Sequence, residues 1–468
     1  MVFALCMGIL QAPFLRFDLQ RESAYIERKR IMERRIYNGI PWYDQNGDPV
    51  NAHGACIVSA QGKYYLFGEY KTDDVNKYVG FSCYSTENFM DWTFHGLALP
   101  PLKEGLLGPD RVGERVKVLE NRATGKYVML MHTDDMKYCD PCIGLAVGER
   151  IDGEFTFQGP LLFQGEPIRY WDMGTFVDED GTAYLLTHEG NIYRLDESYT
   201  RAVELVAKDI APGGESPAMF RAREEDGGKL YYLMLSNKTS WERNDNYYFT
   251  AKDLHGPWEY KGLFCPAGSL TYNSQCSFVF RYEGEDLRNS LPIYIGDRWS
   301  YPRQASAATL VLLPIETGNG QMRIGEYLPV WSPDTLEKAA PEPEHFLAFR
   351  SNVPGEPIRI AFTGERIALF GNTDKHGGYG DIEILDEGEA CVHRTSIDFY
   401  SAVPDSGIRF RSPALPFGNY TVIITVSGEN SICATKSGTR YGSDDFYIEL
   451  TGWGSGTTDK LFVSNAAR

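Results

Sequence analysis

The feature that most constrains this chain is a run of aromatic and aliphatic residues that recurs five times. The copies are KYYLFGEY from Lys63, KYVMLMHT from Lys126, TAYLLTHE from Thr182, KLYYLMLS from Lys229 and LPIYIGDR from Leu291, spaced 63, 56, 47 and 62 residues apart. Gly-containing turns (QG, TG, DG, GG) precede four of them, and another strand-like run precedes each: GACIVSA, ERVKVLEN, DMGTFVDED, SPAMFRARE and QCSFVFRYE. Two apolar runs around such a turn read as a β-hairpin. Several units close on a Trp or Phe followed by Gly, as in DWTFHGLAL, EFTFQGPLL and PWEYKGLF. Five radial copies of a several-strand unit, with a period far longer than that of coiled coils or leucine-rich repeats, predict a five-bladed β-propeller over residues 39–335.

The flanks differ in texture. The Pro- and Glu-containing stretch from Pro333 to Glu344 reads as a linker. Beyond it, PIRIAFTG, RIALFGN, GDIEILDEG, IRFRSPAL, NYTVIITVSG and DFYIELTGW follow at regular spacing without helical periodicity. They predict a C-terminal β-sandwich over 345–468. At the other end, DLQRESAYIERKRIMERRI (18–36) lacks Gly and Pro and predicts a short N-terminal helix in an extension covering 1–38. The expected fold class is therefore all-β, with a propeller, a sandwich and one helical appendage.

Composition narrows the partners. Forty-six Lys and Arg against 64 Asp and Glu leave a formal charge of −18, which repels phosphate backbones and argues against nucleic acid. No run approaches the roughly 18 apolar residues of a membrane helix. Nine cysteines, of which Cys56, Cys83 and Cys276 lie inside apolar runs, include one CxxC (Cys139, Cys142) with no second pair, so a structural zinc site is not indicated. That usage fits a reducing compartment and a cytoplasmic location. The opening MVFALCMGILQA lacks a basic leader and cleavage site. A different true start carrying a signal peptide would make the protein secreted.

Propeller chemistry gathers where first strands open onto the central channel. At or beside the five first strands stand His53, Glu114, Asp172, Glu215 and Gln275, spaced 61, 58, 43 and 60 apart. Strand ends are commonly polar, but five in register with three carboxylates point to a site. Glycoside hydrolysis needs an acid to protonate the leaving oxygen and a second group to handle water, and converging carboxylates raise the acid's pKa. Tyr138, Trp171, Trp241 and Trp299 are aromatic candidates for stacking on sugars, with Trp241 and Trp299 in loop-like polar surroundings.

These segments resemble glycoside hydrolase family 43, in its exo-β-1,3-galactanase branch. The likeness runs in order through WYDQNGDPVNAHGACI, KYYLFGEY, GERVKVLENRATGKYVMLMHTDD, DMGTFVDEDGTAYLLTH, ESPAMF, NSQCSFVF and YIGDRW. It implies a five-bladed propeller and an inverting exo-acting hydrolase that releases terminal galactose from β-1,3-galactan. By the same resemblance Glu215 is the general acid, Asp172 its orienting and tuning carboxylate, and Glu69 and Glu114 contacts to the terminal galactose. The usual first-blade base Asp is absent from NAHGACI, and Gln275 takes the base position, as an imidic tautomer or as a residue that only orients water while Glu114 receives the proton. Glu215 and Gln275 are then expected on opposite sides of the scissile bond. Two departures touch the pocket wall: Trp171 precedes Asp172 where Arg is usual, and APGGESP is only partly family-like.

Tyr138, Thr239, Trp241, Asp297, Arg298, Trp299 and His53 complete the candidate substrate-binding set. The alternatives are a family enzyme acting on an α-L-arabinofuranoside or β-xyloside, and a non-catalytic sugar-binding propeller. An oligo- or polysaccharide is the expected partner, and oligomeric state is not legible. Acid–water hydrolysis requires no cofactor and no metal is assigned. A calcium ion, in the channel beside His53 or His132 or in the sandwich near Tyr441, Asp444 and Asp445, stays open as an alternative.

Overall fold

The computed structural model describes residues 34–224, 227–284 and 290–457. The expected helix over 18–36 lies outside the described residues as far as residue 33. Its last residue, Ile36, belongs instead to the two-residue strand Ile36–Tyr37, paired with Val330–Trp331. The linker stretch is also partly strand, since Lys338–Ala339 extends this small sheet.

The fold is all-β. Five sheets, antiparallel but for one parallel pair in the third, follow one another along the chain, beginning with strands His53–Ala60, Arg111–Asn121, Met173–Val177, Glu215–Arg223 and Gln275–Tyr282. The first, second and fourth have four strands in sequential order, the third six and the fifth three. Their hairpins use the turns read from the sequence; Gly62 and Gly125 take φ of 75° and 70°, a conformation glycine adopts freely. The five first strands neighbour one another in a closed cycle, the fifth returning to the first.

This cycle explains the composition of the repeated runs. Apolar side chains fill the seams between successive sheets, such as Phe67, Val116, Val118 and Met129 between the first and second. Leu130, Ile143, Met173 and Leu185 fill the next seam, and Leu186, Met219 and Leu233 the one after. A sheet covered on both faces needs no polar alternation, so KYVMLMHTDD is buried from Tyr127 to Asp134.

The C-terminal residues form two four-stranded sheets around one apolar core that includes Phe362, Leu369, Ile384, Val422 and Ile448. All six predicted strands are present. His345–Ser351, Cys391–Asp398 and a small hairpin, Ile432–Ala434 with Arg440–Gly442, add to them. Tyr43 packs edge-on against His393 and Phe410, joining the two parts of the chain. Among the described residues no helix is long and apolar enough to cross a membrane, and eight cysteines, including Cys139 and Cys142, are free thiols.

Candidate active site

Antiparallel pairing sets four of these polar residues, at or near the start of a first strand, opposite residues at or near the end of the second: His53 faces Glu69, Glu114 faces His132, Glu215 faces Ser236 and Gln275 faces Asp297. The loops after the second strands therefore gather at the same end as the five polar starts. Four of these starts carry a bulge, with register breaks between His53 and Cys56, Glu114 and Lys117, Glu215 and Ala218, and Cys276 and Phe278. A bulge re-aims side chains and frees backbone groups from the ladder. Gly54, Arg115 and Ser216 each sit one residue past a start with φ of 54–56°. Their N–H groups donate to carboxylates of the preceding sheet in the cycle: Gly54 to Asp297 Oδ1 (2.9 Å), Arg115 to Glu69 Oε1 (2.8 Å) and Ser216 to Asp172 Oδ2 (3.1 Å). Cys276 N–H donates likewise to Asn246 Oδ1 at 2.8 Å.

Within this ring Glu215 and Gln275 meet, 60 residues apart in sequence. Gln275 Nε2 donates to Glu215 Oε1 at 3.0 Å and to Ser236 Oγ at 2.9 Å, while its Oε1 accepts from Arg115 Nη2 and Trp299 Nε1, both at 2.8 Å. Arginine and indole nitrogens only donate, which fixes the amide orientation and fills both lone pairs of its oxygen. The two side chains are in direct contact rather than facing each other across a gap. An inverting pair of carboxyls needs about 6.5–9.5 Å to admit water, so Gln275 here stands beside the acid.

Burial, and then the charge of Asp172, push the Glu215 carboxyl up to about 8, against the opposing influence of Arg115, Lys238 and the Gln275 amide. Glu215 therefore carries a proton at neutral pH. Asp172 is held by Ser216 N–H and Oγ (3.1 and 2.9 Å) and by Arg115 Nη2 (3.1 Å). Arg115, absent from the predicted set, thus ties Gln275 to Asp172, and its Nη1 lies 3.7 Å from Asp297.

A second polar group lies across the first and second sheets. Glu114 Oε1 accepts from Asn76 Nδ2 and Tyr138 Oη, both at 2.7 Å, and its Oε2 lies 3.2 Å from His132 Nδ1. Burial alone would raise its pKa, but the His132 bond and the charge of Lys71 prevail and hold it well below the usual carboxylate range. His132 Nε2 lies 3.2 Å from Asp134 Oδ2. Burial opposes protonation of His132, yet its bonds to Asp134 and Glu114 raise its pKa to about 9. Lys71 pairs with Glu69 at 2.5 Å and stands 5.3 Å from the Trp241 ring centre.

Glu114, His132 and Asp172 present ligand atoms within 4.8 Å of one another. Both His132 nitrogens face carboxylates, Glu114 Oε2 and Asp134 Oδ2, each at 3.2 Å. In the C-terminal part, Asp444 pairs with His376 Nδ1 and Asp445 accepts from Asn352 Nδ2 at 3.0 Å.

Trp299 is 1% exposed and packs edge-on against Trp241 (4.9 Å between centres), which stacks on Tyr301 at 5.9 Å and 2°. His53 is buried against Trp299, and burial together with Lys71 lowers its pKa to about 3. Two predicted members point elsewhere. Arg298 leaves the opposite face of its strand, donates to Tyr272 O and stacks on Tyr327. Thr239 serves its own loop, donating to Glu242 O and accepting from Asn244. Trp171 is 38% exposed, edge-on to His188. Asn76, Ser236, Lys71 and Asp134 join Arg115 as site members missing from the sequence-derived set. Lys71 and Asp134 lie within two residues of Glu69 and His132, which is the one signal that pointed to them.

The sequence profile described as "Glycosyl hydrolases family 43" matches residues 49–263. A solved Bifidobacterium bifidum S17 structure, provisionally assigned as an exo-β-1,3-galactanase, is 37% identical over 62% of this chain and 97% of its own, with a TM-score of 0.56. The Phanerochaete chrysosporium exo-β-1,3-galactanase with galactose is 23% identical over 89% of this chain and 100% of its own, with a TM-score of 0.64. The Clostridium thermocellum exo-β-1,3-galactanase is 22% identical over 89% and 86%, with a TM-score of 0.57; these last two are likenesses of fold. No curated protein matches the chain. A relative 37% identical along nearly its whole length, and a profile spanning the sheets that carry Glu114, Asp172 and Glu215, establish that the chain belongs to glycosyl hydrolase family 43 and is a glycosidase.

Proposed function

We propose that this glycosidase removes terminal galactose from β-1,3-galactan. The observation that carries the reading is the Glu215 carboxyl, half-buried, pushed up to about 8 and bonded to the Gln275 amide at 3.0 Å. Glu215 donates its proton to the leaving glycosidic oxygen, the role of a general acid whose pKa lies near the working pH. Asp172 supplies the negative charge that keeps the proton on Glu215, and Arg115 holds Asp172 and Gln275 in place. Both Gln275 N–H groups are engaged, one by Glu215 Oε1 and one by Ser236 Oγ, so Gln275 acts by holding the acid in place. Glu114 and Glu69 stabilise the positive charge that develops on the sugar and bind its hydroxyls, with Tyr138 beside them, and Glu114 receives the proton that the attacking water loses.

The substrate assignment is supported by the 37% identical relative and by the NAHGACI segment, which has no acidic residue. The closed cycle of five first strands supports reading residues 39–335 as a five-bladed propeller, and the shared core supports reading 345–468 as a β-sandwich. Incubation with β-1,3-galactooligosaccharides, followed by thin-layer chromatography, tests the function. Galactose is expected as the sole early product. Cleavage of arabinofuranosides or xylosides with no galactose released would overturn the substrate, and binding without cleavage of any glycoside would overturn the proposed mechanism.

A further inference from the structure

The site end of the ring is not built by the five sheets alone. The hairpin Ile432–Ala434 and Arg440–Gly442, from the C-terminal part, touches three of the loops that gather there. Ser240 Oγ, in the loop after the fourth sheet's second strand, donates to Ala434 O at 3.2 Å. Ile432 N–H donates to Tyr301 O at 3.2 Å in the fifth sheet's loop. Lys436 Nζ stands 5.3 Å from the Tyr138 ring centre and 3.4 Å from Tyr138 O in the second sheet's loop.

Each contact is one step from the site. Tyr138 donates to Glu114, Ser240 adjoins Trp241, and Tyr301 stacks on Trp241, which packs on the Trp299 that donates to Gln275. The hairpin tip, Thr435 to Thr439 (TKSGT), is hydroxyl-rich, and Lys436 to Thr439 are exposed. The Lys436 ammonium has three donors and its one hydrogen bond is long. Hydroxyls and an ammonium beside stacked aromatics suit a neutral sugar chain, which offers both hydroxyl edges and apolar faces.

We propose that this hairpin is the leaving-group wall of the pocket. It contacts the sugars beyond the scissile bond and thereby sets the preference for chain length. The inference rests on the proposed exo-acting mode, and on the galactose-releasing reading for the choice of substrate. An exo-acting pocket encloses one terminal residue, so the rest of the chain has to leave through the mouth that the hairpin borders.

The test compares kcat/KM on an aryl β-galactoside and on β-1,3-galactotriose for the wild type, Lys436→Ala, and a variant whose Thr435–Thr439 loop is replaced by Asn-Gly. That two-residue turn closes the same strand pair. The ratio of trisaccharide to aryl-glycoside kcat/KM is expected to fall at least threefold for Lys436→Ala and further for the shortened hairpin, through KM on the trisaccharide. Unchanged ratios in both variants overturn the proposal. The point variant keeps the test decisive if the shortened loop disturbs folding. If the wild type releases no galactose, the galactan reading fails by itself, and the same ratio is read on whichever glycoside series the enzyme cleaves.

Discussion

Gln275 Nε2 lies 3.0 Å from Glu215 Oε1, and the opposite edge of the same amide is closed by Arg115 and Trp299. The amide is therefore a fixed strut: two obligate donors on one side orient two N–H groups on the other. A carboxyl that carries its proton to about pH 8 then stands at the end of that strut.

Replacing Glu215 by Gln removes the proton donor without altering shape. Turnover should fall by about 10²–10⁴-fold, while thermal denaturation shows an unchanged or higher midpoint, since a neutral amide replaces a carboxyl that resists ionisation. Full activity would remove Glu215 from the acid role.

The rate should decline as pH rises through about 8, where Glu215 loses its proton. Asp172→Asn removes a neighbouring negative charge, so the Glu215 anion becomes easier to form and the alkaline limb moves to lower pH. A pH profile of kcat/KM for both proteins checks the sign. A limb that stays in place or moves upward would contradict the tuning assigned to Asp172.

Trp299→Phe deletes one of the two donors that hold Gln275 Oε1 and leaves most of the packing with Trp241. The loss of one buried hydrogen bond, about 1–2 kcal/mol, should appear as a roughly tenfold drop in kcat. Unaltered kcat would show that the strut does not govern the acid.

The side chain nearest Glu215 is an amide, which cannot serve as the carboxylate nucleophile that retention of configuration requires. Proton NMR during the first minutes of hydrolysis should therefore show α-galactose released from the β-linkage before mutarotation. A β-anomer as first product would point instead to one of the neighbouring carboxylates as nucleophile.

His132 links ionisation to stability. Its folded pKa of about 9 lies above the unfolded value near 6.5, so its contribution is complete below pH 6.5 and is lost as pH rises through 9. The raised Glu215 pKa gives a slope of the same sign at lower pH, and the Glu215→Gln background removes it. In that background guanidinium unfolding should show stability falling between pH 7 and 9.5, and His132→Asn should flatten the fall.

Much of the site was legible because strand starts are easy to find in sequence. His53, Glu114, Asp172, Glu215 and Gln275 each border an apolar run, and all five reach the same end of the ring. Arg298 was misplaced because it was read together with its neighbours Asp297 and Trp299, whereas alternation along a strand sends Asp297 and Arg298 to opposite sides. Arg115 escaped for the converse reason. The bulge after Glu114 breaks that alternation and turns two successive residues to the site, and nothing in GERVKV marks a bulge. In the C-terminal part, HFLAFRS and CVHRTSID were missed as strands because charged and exposed residues interrupt them.

The N–H groups of Gly54, Arg115, Ser216 and Cys276 bind side chains of the adjoining sheet, and Asp297, Glu69 and Asp172 are the acceptors for the first three. Acidic residues assigned to the sugar or the proton thus also clasp the ring shut. Exchange of Glu69 or Asp172 costs architecture along with activity, so such positions resist evolutionary drift. New specificities should arise instead in the segments at 70–80, 136–141, 237–246 and 299–308, where a side chain can change what it touches while most of the clasps stay closed.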